Sequence, residues 1–156
     1  MLLKTNQKAP SFTLSNQEGK TVSLGDFKNK WVVLYFYPKD DTPGCTIEAL
    51  DFTRWADKFK QNGAVIIGVS PDSLKSHCKF IDQHDLKLTL LSDEEKKVLA
   101  AYGVWGKKKF MGREYMGVLR TTFLINRDGK IVKIWENVNV KGHAEEVLST
   151  LTNLSR

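Results

Sequence analysis

The sequence has two thiols, Cys45 and Cys78, and Cys78 follows Cys45 by 33 residues. Two cysteines do not make a disulfide framework, and no CxxC pair or Cys/His cluster has zinc-ligand spacing. Each is therefore a buried small apolar residue or a reactive thiol. For Cys45 the surrounding stretch Tyr37-Pro38-Lys39-Asp40-Asp41-Thr42-Pro43-Gly44-Cys45-Thr46-Ile47-Glu48 decides. Thr42 reads as a helix N-cap, and Pro43 suits the first helical position, where its missing N–H costs nothing. Cys45 then falls in the first turn. Free backbone N–H groups and the positive end of the helix dipole favour thiolate there, and thiolate is the nucleophilic form of sulfur. The Thr42 hydroxyl can be aimed at that sulfur or at an incoming oxygen. A packed core thiol would leave the crowding of Pro, Gly and a capping Thr unexplained.

The remaining reactive side chains read more blandly. Leu74, Cys78 and Ile81 fall at i, i+4 and i+7, the pattern of a buried core cysteine. His77 and His84 lie seven apart on the same predicted helix with no third ligand nearby, so they read as solvent-facing. His143 begins the last helix. Lys107-Lys108-Lys109 reads as a solvated lysine surface. Trp105, Phe110, Met111 and Tyr115 could line a site mouth or a subunit contact, or only cap the core.

Positioning these groups requires an alternation of strands and helices. Trp31–Tyr37 and Ala64–Val69 are continuous β-prone apolar runs, as strands buried on both faces are. A helix from about Cys45 to Gln61 follows the first, with Phe52, Trp55, Ala56 and Phe59 on one face, and Asn62-Gly63 stops it. Ser73–His84 is a second helix and Leu88–Leu91 a short strand. Asp93–Tyr102 is a helix capped by Ser92. Gly103 to Gly117 reads as a glycine-punctuated loop. Thr121–Asn126 and Ile131–Glu136 are strands joined through an Asp-Gly turn, and His143–Leu154 closes the chain as an amphipathic helix. Asn16-Gln17-Glu18-Gly19 splits a leading hairpin. The order βαβαβαββα predicts an α/β fold of thioredoxin-like arrangement, a central mixed sheet flanked by helices with an N-terminal β-hairpin. In such sheets ligands bind at the carboxyl ends of strands, where the stretch around Cys45 lies.

The 156 residues suit one domain, spanning 1–156, with a core that needs no disulfide or metal. Apolar and charged fractions of 41% and 27% are globular values. No run approaches the length of a membrane span, and MLLKTNQKAP lacks an apolar stretch with a cleavage site, so the expected location is the cytoplasm. The net charge of +6 comes mostly from lysine. Arginine, which carries most base and phosphate recognition, is scarce, so nucleic acid is not an expected partner.

Pro38-x-x-x-Thr42-x-x-Cys45 resembles the PxxxTxxC signature of peroxiredoxins, the thiol peroxidases. The longer YPKDDTPGCT is similar to the subfamily called peroxiredoxin Q or bacterioferritin comigratory protein. The likeness runs nearly end to end through APSFTLSNQEGK, IIGVSPDS, LLSD, YGVW and RTTFLI. The resemblance implies that Cys45 is the peroxidatic nucleophile, attacking a peroxide oxygen and becoming a sulfenic acid. It implies that Arg120, which alone would read as a surface charge on an edge strand, stabilises the thiolate and the charge on the leaving oxygen. Thr42 would hold the peroxide, Pro38 would shield the sulfur from water, and Glu48 would orient the arginine. The substrates implied are hydrogen peroxide and organic hydroperoxides, and the reductant is a thioredoxin-like or glutaredoxin-like donor. No metal, haem or flavin is needed, and the implied state is a monomer, or at most a weak dimer.

The sequence departs from the family in how the sulfenic acid is resolved. Many members carry a second cysteine five residues after the first, where this chain has Leu50. Others place it at the position of Ile81, and this chain has Cys78 one turn earlier. Cys78 is therefore open between a resolving thiol, a structural core thiol and an occasional redox participant. Two other functions fit the same fold. A thiol–disulfide oxidoreductase would want its second cysteine where Glu48 stands, and a redox sensor or holdase would use the same reactive thiol without turnover.

Overall fold

The computed structural model describes residues 3–155. Its sheet is built around β3 (Trp31–Phe36), whose six residues WVVLYF are all buried. Alternate side chains of β3 point to opposite faces. Val33 and Tyr35 join one core layer with Phe52, Phe59, Phe80, Val147 and Leu151, while Val32, Leu34 and Phe36 join another with Phe12, Leu99, Tyr102 and Phe123. Both faces are covered, which is why the strand reads as a continuous apolar run.

The other strands are β1 (Thr13–Asn16), β2 (Thr21–Ser23), β4 (Ala64–Ser70), β5 (Thr89–Ser92), β8 (Thr121–Ile125) and β9 (Ile131–Trp135), in the order β2-β1-β5-β4-β3-β8-β9. β3, β4 and β5 run parallel, and the remaining pairs are antiparallel. Helices α1 (Pro43–Arg54), α2 (Ala56–Gln61), α3 (Leu74–His84) and α5 (His143–Leu154) supply buried residues to the first layer, and α4 (Lys97–Ala101) to the second. The expected mixed sheet, its flanking helices and the N-terminal hairpin are all present. At Gly68 of β4 a Cβ would stand 2.8 Å from both the Leu90 and Tyr35 side chains, so the packing there has room only for glycine.

Three expected elements differ. The helix predicted over Cys45–Gln61 starts at Pro43 and is broken at Trp55, which leaves helical geometry at φ −102°, ψ 7°. The helix predicted over Asp93–Tyr102 shrinks to Lys97–Ala101. The Ser92 hydroxyl is committed elsewhere, to the Asp72 carbonyl, and Asp93 instead accepts from the Leu99 N–H across a turn in which Lys96 is left-handed. The predicted loop over 103–117 is a hairpin, β6 (Trp105–Phe110) and β7 (Arg113–Val118). Met111 and Gly112 both take positive φ at its tip, the geometry of a two-residue hairpin turn. A methionine at that position hid the turn signal.

Candidate active site

β3 ends at Phe36, and the chain runs through Tyr37–Asp41 to Thr42, the N-cap residue of α1, with Pro43 at its start. Cys45 thus sits in the first turn, as expected, and is 1% exposed. Thr42 occupies the cap position with extended backbone, but its hydroxyl donates to the Lys39 carbonyl (2.8 Å) rather than capping the helix or pointing its proton at the sulfur. Pro38 is half-buried beside it.

Strand register brings in the arginine. Phe36 pairs with Thr121, so Arg120, one residue before β8, is level with the loop leaving β3. Its guanidinium Nη2 donates to Cys45 Sγ at 3.3 Å and Nη1 to Glu48 Oε1 at 2.7 Å. Gly44 leaves room for it: a Cβ there would stand 3.2 Å from Nη2, a tight contact. Glu48 lies on α1 at i+3 from Cys45, so one helix face presents both groups to one guanidinium. Of the five residues expected at the site, Cys45, Glu48 and Arg120 are in direct contact, while Thr42 stands at the N-cap and Pro38 in the loop before it.

The charges are unevenly satisfied. Glu48 is 1% exposed, and its Oε2 has no partner among the described residues. Burial pushes its pKa up from 4.5 to about 7, against the opposing pull of Arg120. For Arg120 burial works against the charge, but Glu48 and Cys45 outweigh it and its pKa is raised. Tyr35, stacked on Phe52 with ring centroids 4.8 Å apart, buries a hydroxyl that likewise has no partner among the described residues. Burial first, then the negative charge of Glu48 and Cys45, pushes its pKa well up and keeps it a phenol.

Several expectations for the other side chains are overturned. Cys78 is exposed, not a core thiol: it lies off the buried face of α3 formed by His77 and Phe80, and its thiol donates to the Gln17 carbonyl in the N-terminal hairpin turn (2.7 Å). Both cysteines are free. His77 is not solvent-facing but fully buried, with Nδ1 2.7 Å from Asp40 Oδ2 and Nε2 3.0 Å from the Leu91 carbonyl. His84 is half-buried and meets Asp41 at 2.9 Å. The two histidines on one helix thus meet the two adjacent aspartates of the loop, which the sequence reading did not foresee. Within the basic run Lys108 is half-buried, donating to the Val118 carbonyl (2.9 Å), and burial, then the Arg120 charge, lowers its pKa. His143 does begin α5, buried, with Nε2 2.8 Å from the Thr122 hydroxyl; burial, then Arg120, pulls its pKa down to about 4. Trp105 packs on the second core layer, while Phe110, Met111 and Tyr115 are exposed and do not cap the core.

A thioredoxin-like sheet that presents a helix-start cysteine to a guanidinium and a buried glutamate defines a thiol peroxidase. The chain belongs to the AhpC/TSA family, whose model matches residues 5–134. It is 50% identical over 155 residues to peroxiredoxin Bcp of Bacillus subtilis (strain 168), covering 99% of each chain. To peroxiredoxin Bcp of Escherichia coli (strain K12) it is 41% identical over 149 residues, 96% of each. The structure is similar to a cysteine-to-serine mutant of Xylella fastidiosa PrxQ, with a TM-score of 0.95, 35% identity and coverage of 100% of this chain and 99% of that one. It is also similar to the Xanthomonas campestris bacterioferritin comigratory protein, described for its alkyl peroxide reduction activity, with a TM-score of 0.92, 36% identity and coverage of 98% and 100%. No helix among the described residues is long and apolar enough to cross a membrane.

Proposed function

We propose that residues 1–156 act as one domain, a cytoplasmic monomer, in which Cys45 reduces hydrogen peroxide and organic hydroperoxides. The observation that carries this reading is the guanidinium of Arg120 bridging Cys45 Sγ and Glu48. A cation at that distance favours the sulfur anion. The thiolate attacks the terminal peroxide oxygen, an S–O bond forms and the O–O bond breaks. Sulfur is oxidised by two electrons to the sulfenic acid. The departing hydroxide or alkoxide takes a proton and leaves as water or alcohol. The free lobe of Arg120 charge meets the negative charge that develops on that oxygen. The proton of Thr42 is held by the Lys39 carbonyl, so its oxygen accepts from the O–H of the hydroperoxide. Pro38 keeps water from the sulfur, and Glu48 fixes the guanidinium.

Cys78 is the resolving thiol in this reading, supported by its exposure on α3. Its sulfur displaces the sulfenic hydroxyl, an S–S bond forms and water leaves. The dithiol of a thioredoxin-like or glutaredoxin-like reductant then reduces the disulfide. A disulfide needs Cα atoms within ~7 Å, so the first turn of α1 or the segment of α3 around Cys78 must unwind to form it.

The test is peroxide consumption with a thioredoxin system. Cys45→Ser should abolish turnover, and activity at the parent rate in that variant refutes the assignment. Cys78→Ser should retain the first oxidation and lose steady-state turnover. Full turnover in that variant means that an external thiol resolves the sulfenic acid.

A further inference from the structure

A second polar cluster lies beneath the loop that connects β3 to α1. Asp40, at the middle of that loop, is 7% exposed, and its carboxylate is fully engaged. Oδ1 accepts from the Tyr37 hydroxyl (2.6 Å), and Oδ2 accepts from the Ser76 hydroxyl (2.8 Å) and faces His77 Nδ1 (2.7 Å). Its backbone N–H donates to Asp72 Oδ2 (2.8 Å), which also accepts from the Ser70 hydroxyl. His77 Nε2 faces a carbonyl, which only accepts, so that nitrogen carries a proton. Nδ1 and Asp40 Oδ2 share a hydrogen bond. Next along the loop Asp41 is left-handed at φ 59°, a conformation that aspartate adopts more readily than most side chains.

Asp40 stands midway between Pro38 and Thr42, two residues from each. Whatever fixes Asp40 therefore fixes the loop carrying Pro38 and Thr42, which leads into the first turn of α1 where Cys45 sits. Among the four groups holding it, His77 has no exposure at all and is anchored at its far nitrogen to β5, so it is the stiffest support.

We propose that His77 is a positioning residue for the peroxide step: through Asp40 it sets the backbone of residues 38–42 and so the placement of Pro38 and Thr42 over the sulfur. This rests on the reading of Cys45 as the peroxide-reducing thiol. The competing account is a staple, in which His77 only ties α3 to β5 through the Leu91 carbonyl.

Two substitutions separate these accounts, because an asparagine amide nitrogen takes the place of Nδ1 and a glutamine amide nitrogen that of Nε2. His77→Asn keeps a donor for Asp40 and gives up the Leu91 bond. His77→Gln does the reverse. The readout is the second-order rate constant for oxidation of the reduced protein by hydrogen peroxide, followed by stopped-flow tryptophan fluorescence with trapping of the sulfenic acid on Cys45. His77→Gln should lose at least tenfold, and His77→Asn should stay within about threefold of the parent. Equal rates in the two variants, or the parent rate in His77→Gln, overturn the proposal. Ser76→Ala, which removes one Asp40 bond from a half-buried position, covers the case in which the histidine variants do not fold: a twofold or greater slowing supports the proposal and the parent rate overturns it. If the parent itself forms no sulfenic acid at Cys45, the underlying reading fails instead.

Discussion

Glu48 carries a measurable cost that one substitution isolates. Its pKa of about 7 in the fold, against 4.5 for a free carboxyl, means that the folded chain binds more protons than the unfolded chain between those values. Stability from this residue is therefore greatest below pH 4.5, falls as pH rises through the window, and levels off above 7. At about 1.4 kcal/mol per pH unit the full cost is about 3 kcal/mol, most of which accrues between pH 5 and pH 8. Glu48→Gln keeps the shape and an oxygen to accept from Arg120 Nη1, but cannot ionise. Urea unfolding of the parent and the variant at pH 5, 6, 7 and 8 gives the difference between their stabilities, in which other titrating groups cancel. That difference should move in favour of the glutamine variant by about 2 kcal/mol or more from pH 5 to pH 8. A difference flat to within about 0.5 kcal/mol would show that the ionised carboxylate is as well satisfied in the fold as in water, and the account of its burial would be wrong.

Three further outcomes follow from the site geometry. Arg120→Met should slow the bimolecular oxidation by about 10²–10³-fold in stopped flow, with an unchanged circular dichroism spectrum. His143, with a pKa lowered to about 4, binds fewer protons in the fold than the ordinary 6.5 implies, so it removes about 2 kcal/mol of stability as pH falls from 7 to 4.5. His143→Gln, which keeps a donor for Thr122, should abolish that acid loss in urea titrations; in the parent the Glu48 and His143 trends oppose each other and the overall profile should be shallow. Gly44→Ala should raise thermal stability slightly, by about 0.5 kcal/mol or less through helix propensity, while its Cβ displaces the guanidinium and lowers the peroxide rate constant several-fold; a rate equal to the parent would show that Arg120 accommodates the methyl freely.

The site was legible where local chemistry and register agree. The cap-Pro-Gly-Cys order around Cys45 implies a helix start after a buried strand, and the structure has one. Arg120 could be found only through the family likeness, because a charge beside a strand carries no local mark, and what places it is the antiparallel register of β8 against β3. His77 lies inside, against expectation, and Cys78 outside, because α3 is amphipathic about a different axis than Leu74, Cys78 and Ile81 suggest: His77 and Phe80 form its buried face. A histidine belongs inside when two partners wait for it, and those partners come from Asp40 and Leu91, far away in sequence. The hairpin over 105–118 was missed because lysines, glycines and an exposed Met111 obscure the two-residue alternation that marks a strand.

The contact between Cys45 and Arg120 joins residues 75 positions apart, one following β3 and the other preceding β8 at the same end of that strand pair. A chain still emerging from the ribosome owns the sulfur long before it owns the guanidinium. Until synthesis has reached β8, that cysteine lacks the cation that faces it in the fold. On the proposed role of Arg120, reactivity at this position doubles as a record of completed folding, and labelling by a peroxide-mimicking probe should count finished molecules rather than synthesised ones.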